Sequence, residues 1–393
     1  ILNKKMSQVD GAKILRVSGR QMRRMIKRVR EKGVQSIVHQ NRGKPSPKKI
    51  RSKISTKICD LYKEKYHDFG PTFALEKLQE HHGISISRES LRQILIKDGL
   101  WRIRQGRKGI VHTWRERKHY EGEMVQIDGS HHRWLEDRLD QEFCLMAYID
   151  DATGKVYARF YEYEGVFPAL DSFQRFVSKN GCPKTIYIDR HSTYKTTRKA
   201  TLDEDLEGCG SNTQFQQVMK NIDVRVIHAR SPQAKGRVER LFETLQDRLV
   251  KELRLKEIST IHAANVFLKT YLPIFNKKFS VPAKKQCLLY QPLPTCLNPK
   301  WVFCLRTNRR IAKNYTIQVF NRLFLIKHPH LSLRKQMVCV KQALNGDLQF
   351  ETKHKILSVK EITERDVTLV QKAQKKLIKQ LQKNPEYYKS KKT

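Results

Sequence analysis

Three carboxylates stand out in a chain otherwise dominated by cations. Asp128 closes the apolar run EMVQID at 123–128, and Asp189 closes KTIYID at 184–189. Glu239 falls within SPQAKGRVERLFETLQDRL at 231–249, crowded by Lys235, Arg237 and Arg240. In an open α/β sheet, sites lie at the carboxyl ends of strands. A helix entering beside them would bring the third acid. Three acids converging in a basic environment make chemical sense when cations sit between them, and oxygen ligands suit Mg2+. Two such ions, roughly 3.5–4 Å apart, activate an attacking water or 3′-hydroxyl and stabilise the leaving oxygen. The neighbouring cations would then hold a phosphodiester, and the helix N-terminus near Gly236 would add N–H donors. The plainer alternative for Glu239 is a local salt bridge to Arg240 or Lys235.

Composition narrows the partners. The 393 residues carry 79 Lys plus Arg against 39 Asp plus Glu, a formal charge of +40, and 39% are hydrophobic. That length supports two or more domains, and the apolar content exceeds that of a disordered tail. So positive a chain repels itself unless a polyanion binds it, which points to nucleic acid rather than a small-molecule substrate. Eight scattered cysteines without a C-x-x-C pair imply a reducing compartment and no structural zinc. No apolar run approaches membrane-spanning length and no signal peptide is evident, so the expected location is the cytoplasm.

The elements that must position the acids follow in order. Residues 123–128, 143–150, 155–163, 184–189 and 224–229 read as strands, with DATG a tight turn between the second and third. Residues 166–180 are amphipathic and helical, 214–221 form another helix, and 194–213 are an insert. Three strands, then alternating helices and strands, describe an α/β layer. In the helix carrying Glu239, Val238, Leu241, Phe242, Leu245 and Leu249 recur at helical spacing, with Arg240 on the solvent side. Helices continue from 246 to 277. Beyond them, 301–306, 315–320, 322–328, 337–341 and 348–352 read as strands of a small barrel, and 371–393 as a lysine-rich helical tail.

The N-terminal third reads as helical and basic. Residues 7–32 give two short helices joined at Arg16-Val17-Ser18, with Ser18 a cap and Met22, Met25, Ile26 and Val29 facing inward. The other face carries Arg20, Gln21 and Arg24, the pattern of a recognition helix in a helix-turn-helix, or of an ordinary amphipathic helix with a solvated face. A basic linker spans 40–53. Three helices follow: 54–65, one capped by Thr72 and ended by Gly83, and 88–97 capped by Ser87, where Arg88 and Arg92 would face phosphate. His81 and His82 lack the cysteine partners of a zinc site. Residues 101–119 are a basic connector.

Other acids and histidines compete for roles. Asp150 and Asp151 read better as turn residues, and Glu243 stands one turn from Glu239. His131, His132 and His191 suit DNA contacts more than Mg2+ ligation.

The segments VQIDGSHHRWLEDR, YIDRHSTYK and SPQAKGRVERLFETLQDRLVKELR, with RGKPS at 42–46 and DFGPTFALEKL at 68–78, resemble bacterial insertion-sequence transposases. The nearest type is ISNCY, whose catalytic core is retroviral-integrase-like. The resemblance covers almost the whole chain. It implies a DDE triad, with Asp128, Asp189 and Glu239 as catalytic residues and metal ligands, and Mg2+ as cofactor with Mn2+ as substitute. Arg190 stands where the family usually has lysine, and the two are not equivalent phosphate partners. The implied fold is multidomain: all-α helix-turn-helix units, an α/β RNase H-like core and a small C-terminal β-barrel. Its boundaries are 1–40 helix-turn-helix, 41–53 linker, 54–119 second helical unit with connector, 120–275 core, 276–360 barrel-like domain and 361–393 tail. The implied function is to bind the terminal inverted repeats, cut there, and join the 3′-OH ends to target DNA, as a homo-oligomer at the bacterial nucleoid. Arg20, Gln21, Arg24, Arg88, Arg92, His132, Arg190, His191, Lys235, Arg237 and Arg240 are the expected DNA contacts. The alternatives are an RNase H-like nuclease, sharing the acids, and a catalytically silent repressor derived from a transposase.

Overall fold

The computed structural model describes residues 1–3, 5–38, 42–43, 50–102, 115–196, 212–229, 236–352 and 355–363. Lys235, most of the basic linker and connector, most of the 194–213 insert and the 371–393 tail lie outside them. The chain divides into two compact units, Ile1–Gly109 and Ile110–Thr393.

The first unit is helical. α1 (Gln8–Ile14) and α2 (Gly19–Lys32) are capped by Ser7 and Ser18, whose side chains accept from the Asp10 and Gln21 amides. Between them Arg16 takes a positive φ of 51°. Ala12, Met22 and Ile26 pack together, which leaves Arg20, Gln21 and Arg24 exposed on the far face of α2. Among the described residues no further helix precedes α1, and only a single 3-10 turn, Val34–Ile37, follows α2. A two-helix unit is therefore what is seen. α3 (Ser52–Lys65), α4 (Pro71–His82) and α5 (Arg88–Lys97) come next. α4 starts at Pro71 with Gly70 before it, so the expected Thr72 cap is displaced: proline at the first helical position needs no N–H partner. Gly83 ends α4 at φ 64°, and Ser87 caps α5 as expected.

The second unit is built on five strands. β1 (Tyr120–Glu121) is followed by β2 (Val125–His132), β3 (Phe143–Asp150), β4 (Val156–Tyr161), α6 (Val166–Asn180), β5 (Thr185–Ile188), α7 (Gln214–Asn221), β6 (Arg225–His228), α8 (Gly236–Leu255) and α9 (Ile261–Phe279). The sheet order is β4-β3-β2-β5-β6. The first three strands are antiparallel, and β5 and β6 run parallel to β2. This is the mixed-sheet order that an RNase H-like core requires.

Strand alternation sends side chains to two cores. Val125, Ile127, Met146, Tyr148, Ile186 and Ile188 face α6 and α7. Leu145, Ala147, Ile149 and Phe160 face α8 and α9, where Val238, Leu241, Phe242, Leu245 and Leu249 are buried. The apolar stripe read from the sequence is thus the face of α8 that covers the sheet. β4 is an edge strand, and two asparagines of α9 protect it. Asn265 exchanges hydrogen bonds with the Phe160 backbone and Asn276 with that of Val156, at 2.8–3.0 Å.

The C-terminal part differs from expectation. Residues 301–302 are not strand: Asn298 caps the short helix α10 (Pro299–Val302), and Pro299 starts it. β7 (Lys285–Leu288) pairs with β1. The remaining strands are β8 (Cys304–Arg310), β9 (Thr316–Val319), β10 (Arg322–Ile326), β11 (Met337–Ala343), β12 (Leu348–Glu351), β13 (Ile356–Leu357) and β14 (Val359–Ile362). They form two separate sheets, β14-β10-β9 and β13-β12-β11-β8, over one core containing Ile317, Phe324, Val340 and Phe350. No hydrogen-bonded ladder closes them among the described residues, so this is a two-sheet layer and not a closed barrel.

Candidate active site

Parallel pairing aligns the two aspartates. Val125 lies opposite Ile186 and Gln126 opposite Tyr187, and the same offset carries Asp128 to Asp189. Asp128 is in the middle of β2, which runs on to His132, rather than at a strand end as the sequence suggested. Asp189 directly follows β5, and its carboxylate accepts from the His191 amide at 2.9 Å. Asp128 pairs across the ladder with Ala147, a residue of the α8-facing core. Asp189 alternates with Ile188, which faces the other side. Both aspartates therefore belong to the α8 side of the sheet.

Two anchors fix α8 over β2. At one end Asp151 accepts from Gln126 Nε2 and Arg237 Nη1, each at 2.8 Å. Further along, Gln246 Nε2 donates to Ser130 Oγ at 3.2 Å. Gln126 and Ser130 flank Asp128 on the same face of β2, so α8 runs in the same direction as β2 and passes Asp128 between its anchors. Glu239 precedes Gln246 by two helical turns, about 10 Å along the axis, and so shares its face. That face is the one Gln246 turns toward β2. Glu239 is exposed and makes no hydrogen bond or ion pair among the described residues. The salt bridge to Arg240 weighed from the sequence is absent there. Arg240 is likewise exposed and has other partners. Three carboxylate donors on one side of the sheet make a set of hard oxygen ligands, which fits Mg2+ rather than a thiophilic ion.

Asp151 is the residue that sequence reasoning undervalued. It is 0% exposed and also accepts from Lys118 N at 2.9 Å and from Arg115 Nη2. Arg237 also donates to the Arg115 carbonyl at 2.7 Å. Its side chain is only 19% exposed, and burial lowers its pKa against the opposing pull of Asp151. Arg237 is therefore a strut seating the first turn of α8. The neighbouring Asp150 is structural, as read: it accepts from the Gly122, Ala152 and Thr153 amides and from Tyr290 Oη. Gly122 is required there, because at φ 84° an added Cβ would lie 2.5 Å from the Tyr290 amide.

The other expected contacts divide. Arg190 and His191 are exposed beside Asp189, and His191 Nδ1 lies 3.2 Å from Thr193 Oγ1. His132 packs edge-on against Trp134. Arg88 is exposed, but Arg92 is held in a bidentate pair by Glu89 at 2.8 Å, which pulls the Glu89 pKa down to about 2. Arg92 thus has a solvent-exposed partner on its own helix. Glu243 is exposed one turn after Glu239. Tyr194 is buried, with its hydroxyl unpartnered among the described residues. Burial raises its pKa well above the usual range, and the charges of Glu164, Asp189 and Asp128 add to that.

Among the described residues no helix is long and apolar enough to cross a membrane. Comparison with protein-family models finds no match. The chain is 38% identical over 320 residues to the transposase-named protein y4bF of Sinorhizobium fredii, covering 80% of this chain and 68% of that protein. It is 26% identical over 393 residues to the transposase for insertion sequence IS1202 of Streptococcus pneumoniae, covering 90% and 82%. Among solved structures, the HTLV-2 integrase catalytic core domain in complex with magnesium overlaps 42% of this chain and 94% of its own, at 18% identity and a TM-score of 0.31. A simian T-cell lymphotropic virus intasome in complex with the PP2A regulatory subunit B56 gamma overlaps 78% and 99%, at 14% identity and a TM-score of 0.36. The strand order and register, not those overlaps, carry the fold assignment. With the extent of identity to y4bF, the chain belongs to the DDE transposases, enzymes that transfer polynucleotide strands.

Proposed function

We propose that this transposase binds the terminal inverted repeats of an insertion sequence, cleaves a phosphodiester bond at each end, and joins the freed 3′-OH ends to target DNA. The observation that carries this reading is the register match of Asp128 and Asp189 on the side of the sheet that α8 covers with Glu239. These three carboxylates would hold two Mg2+ ions, with Mn2+ as a substitute. When bound, such a pair activates the attacking oxygen and stabilises the leaving one. Arg190 and His191, exposed immediately after Asp189, hold the phosphodiester beside the acids. Arg20, Gln21 and Arg24 read base edges in the element ends from the exposed face of α2, in the manner of a recognition helix. The charge of +40 supplies the sequence-independent part of the affinity. A homo-oligomer holds both ends together, so that two strand transfers are paired.

The test is a strand-transfer assay with the full chain, a DNA duplex carrying the element end, and Mg2+. The expected products are a 3′-OH nick at the element boundary and a joined product on target DNA, both lost on chelation. Nicking without joining would favour the nuclease alternative. Tight end binding with neither product would favour the repressor and sink the proposed chemistry.

A further inference from the structure

On the side of β2 away from Asp128, three different ligand types meet. We propose that His131, Cys144 and Glu164 form a binding site for one thiophilic divalent cation, Zn2+ in kind. The His131, Cys144 and Glu164 donor atoms all lie within 4.8 Å of one another. His131 Nε2 is 3.4 Å from Glu164 Oε2. His131 and Cys144 are direct cross-strand partners on β2 and β3, so the ladder itself fixes two of the ligands. Glu164 comes from the turn between β4 and α6.

The space between the ligands depends on Gly129. A Cβ at that position would lie 2.8 Å from Glu164 Oε2 and 3.0 Å from Cys144 Sγ. Glycine leaves the gap that any larger residue would fill. Zinc bonds of about 2.0 Å to nitrogen and 2.3 Å to sulfur require only a modest inward turn of the ligands. His131 is the one able to turn, with its side chain 49% exposed against 14% for Glu164. Mixed nitrogen, sulfur and oxygen donors select zinc over Mg2+, which prefers oxygen alone. Three protein ligands leave a fourth position for water, on the exposed His131 side. Binding releases the thiol proton to solvent. The ligands are far apart in sequence and form no spacing motif, so only the fold brings them together.

The experiment uses Co2+ alone as the probe, added to the metal-free full chain. Cys287 and Cys296 are exposed thiols, and Cys287→Ser with Cys296→Ser removes them as competitors. One equivalent of Co2+ should give thiolate-to-cobalt charge-transfer absorption, and Zn2+ should abolish it by displacement. Cys144→Ser should remove the band, and His131→Ala and Glu164→Gln should each weaken Co2+ affinity by an order of magnitude or more. Gly129→Ala should weaken it by closing the gap. Absence of the band, or its full retention in Cys144→Ser, overturns the proposal. Should Cys144→Ser fail to fold, the half-exposed His131 decides: unchanged Co2+ affinity in His131→Ala overturns it equally. Cleavage is not the readout, so the outcome is separate from the fate of the catalytic triad.

Discussion

Removing Asp151 should unseat the helix that carries Glu239. Its carboxylate is fully buried and accepts from Arg115, Lys118 N, Gln126 and Arg237. Asp151→Ala strands the Arg237 guanidinium, itself mostly buried, and removes the acceptor of three further donors. Breaking a buried ion pair from one side costs about 3–5 kcal/mol. Arg115 is 40% exposed, so water replaces most of what it loses, and the low end applies. About 3 kcal/mol corresponds to a fall of about 6–12 °C in Tm for a large domain. A thermal melt of the full chain measures this. A double-mutant cycle with Asp151→Asn and Arg237→Gln isolates the pair, and contacting residues typically couple by about 0.5–3 kcal/mol. Arg237 lies two residues before Glu239, so Asp151→Asn should lower kcat for end cleavage more than it weakens end binding. If Asp151→Ala melts with the wild type, or the cycle is additive, then Asp151 does not seat α8 and the route from strut to active site fails.

Asp128→Asn, Asp189→Asn and Glu239→Gln should each abolish Mg2+-dependent cleavage while leaving end binding intact, and robust cleavage by any of them removes that residue from the triad. Leu245, fully buried under α8, should cost roughly 2–5 kcal/mol as Leu245→Ala, whereas Arg240→Glu on the exposed face should weaken DNA binding without lowering Tm. The reverse ranking in thermal melts would mean the helix is rotated. Burial pushes the Cys59 thiol up to about 11 and Cys144 up to about 12, so at pH 8 both stay protonated in the folded chain, and the stability they protect is lost only as pH rises past the ordinary thiol pKa of 9.0. Alkylation mapped by mass spectrometry at pH 8 should therefore mark the exposed Cys287 and Cys296 first, and rapid labelling of Cys59 would contradict the burial. Arg20→Ala with Arg24→Ala should reduce preference for element ends over scrambled DNA at unchanged Tm, and an unchanged preference would locate base readout elsewhere.

What could be read from the sequence is what local periodicity encodes. The bounds of α6 fell where its amphipathic spacing put them, Ser18 and Ser87 cap the helices assigned to them, and the buried stripe of α8 is the one its spacing predicted. Misreadings came where local cues competed. Strand propensity ran through Trp301 and Val302, but Asn298 followed by proline is a stronger helix start than two apolar residues are a strand. Asp128 looked like a strand end because the apolar alternation stops there, yet the ladder with β3 continues through four more residues to His132. The barrel failed for another reason. Closure depends on whether edge strands meet, and no pattern within a strand reports that.

The three candidate acids were legible in the sequence, while the contacts that hold their elements together were not. Arg237 and Arg240 look alike in the sequence, two cations on either side of Glu239. The fold treats them differently: Arg237 reaches in to Asp151 and Arg240 is exposed. The deciding partner, Asp151, lies 86 positions from Arg237 and was legible only as part of a turn. An acid at a strand end and a cation at a helix start have no sequence relation that marks them as a pair. Their pairing arises because the DATG turn brings Asp151 beneath the first turn of α8 and beside Gln126, two residues from Asp128 on the same face. One buried carboxylate thus ties the strand of Asp128 to the helix of Glu239. Burial of that carboxylate shields its pair with Arg237, whose side chain is 19% exposed, from competing solvent.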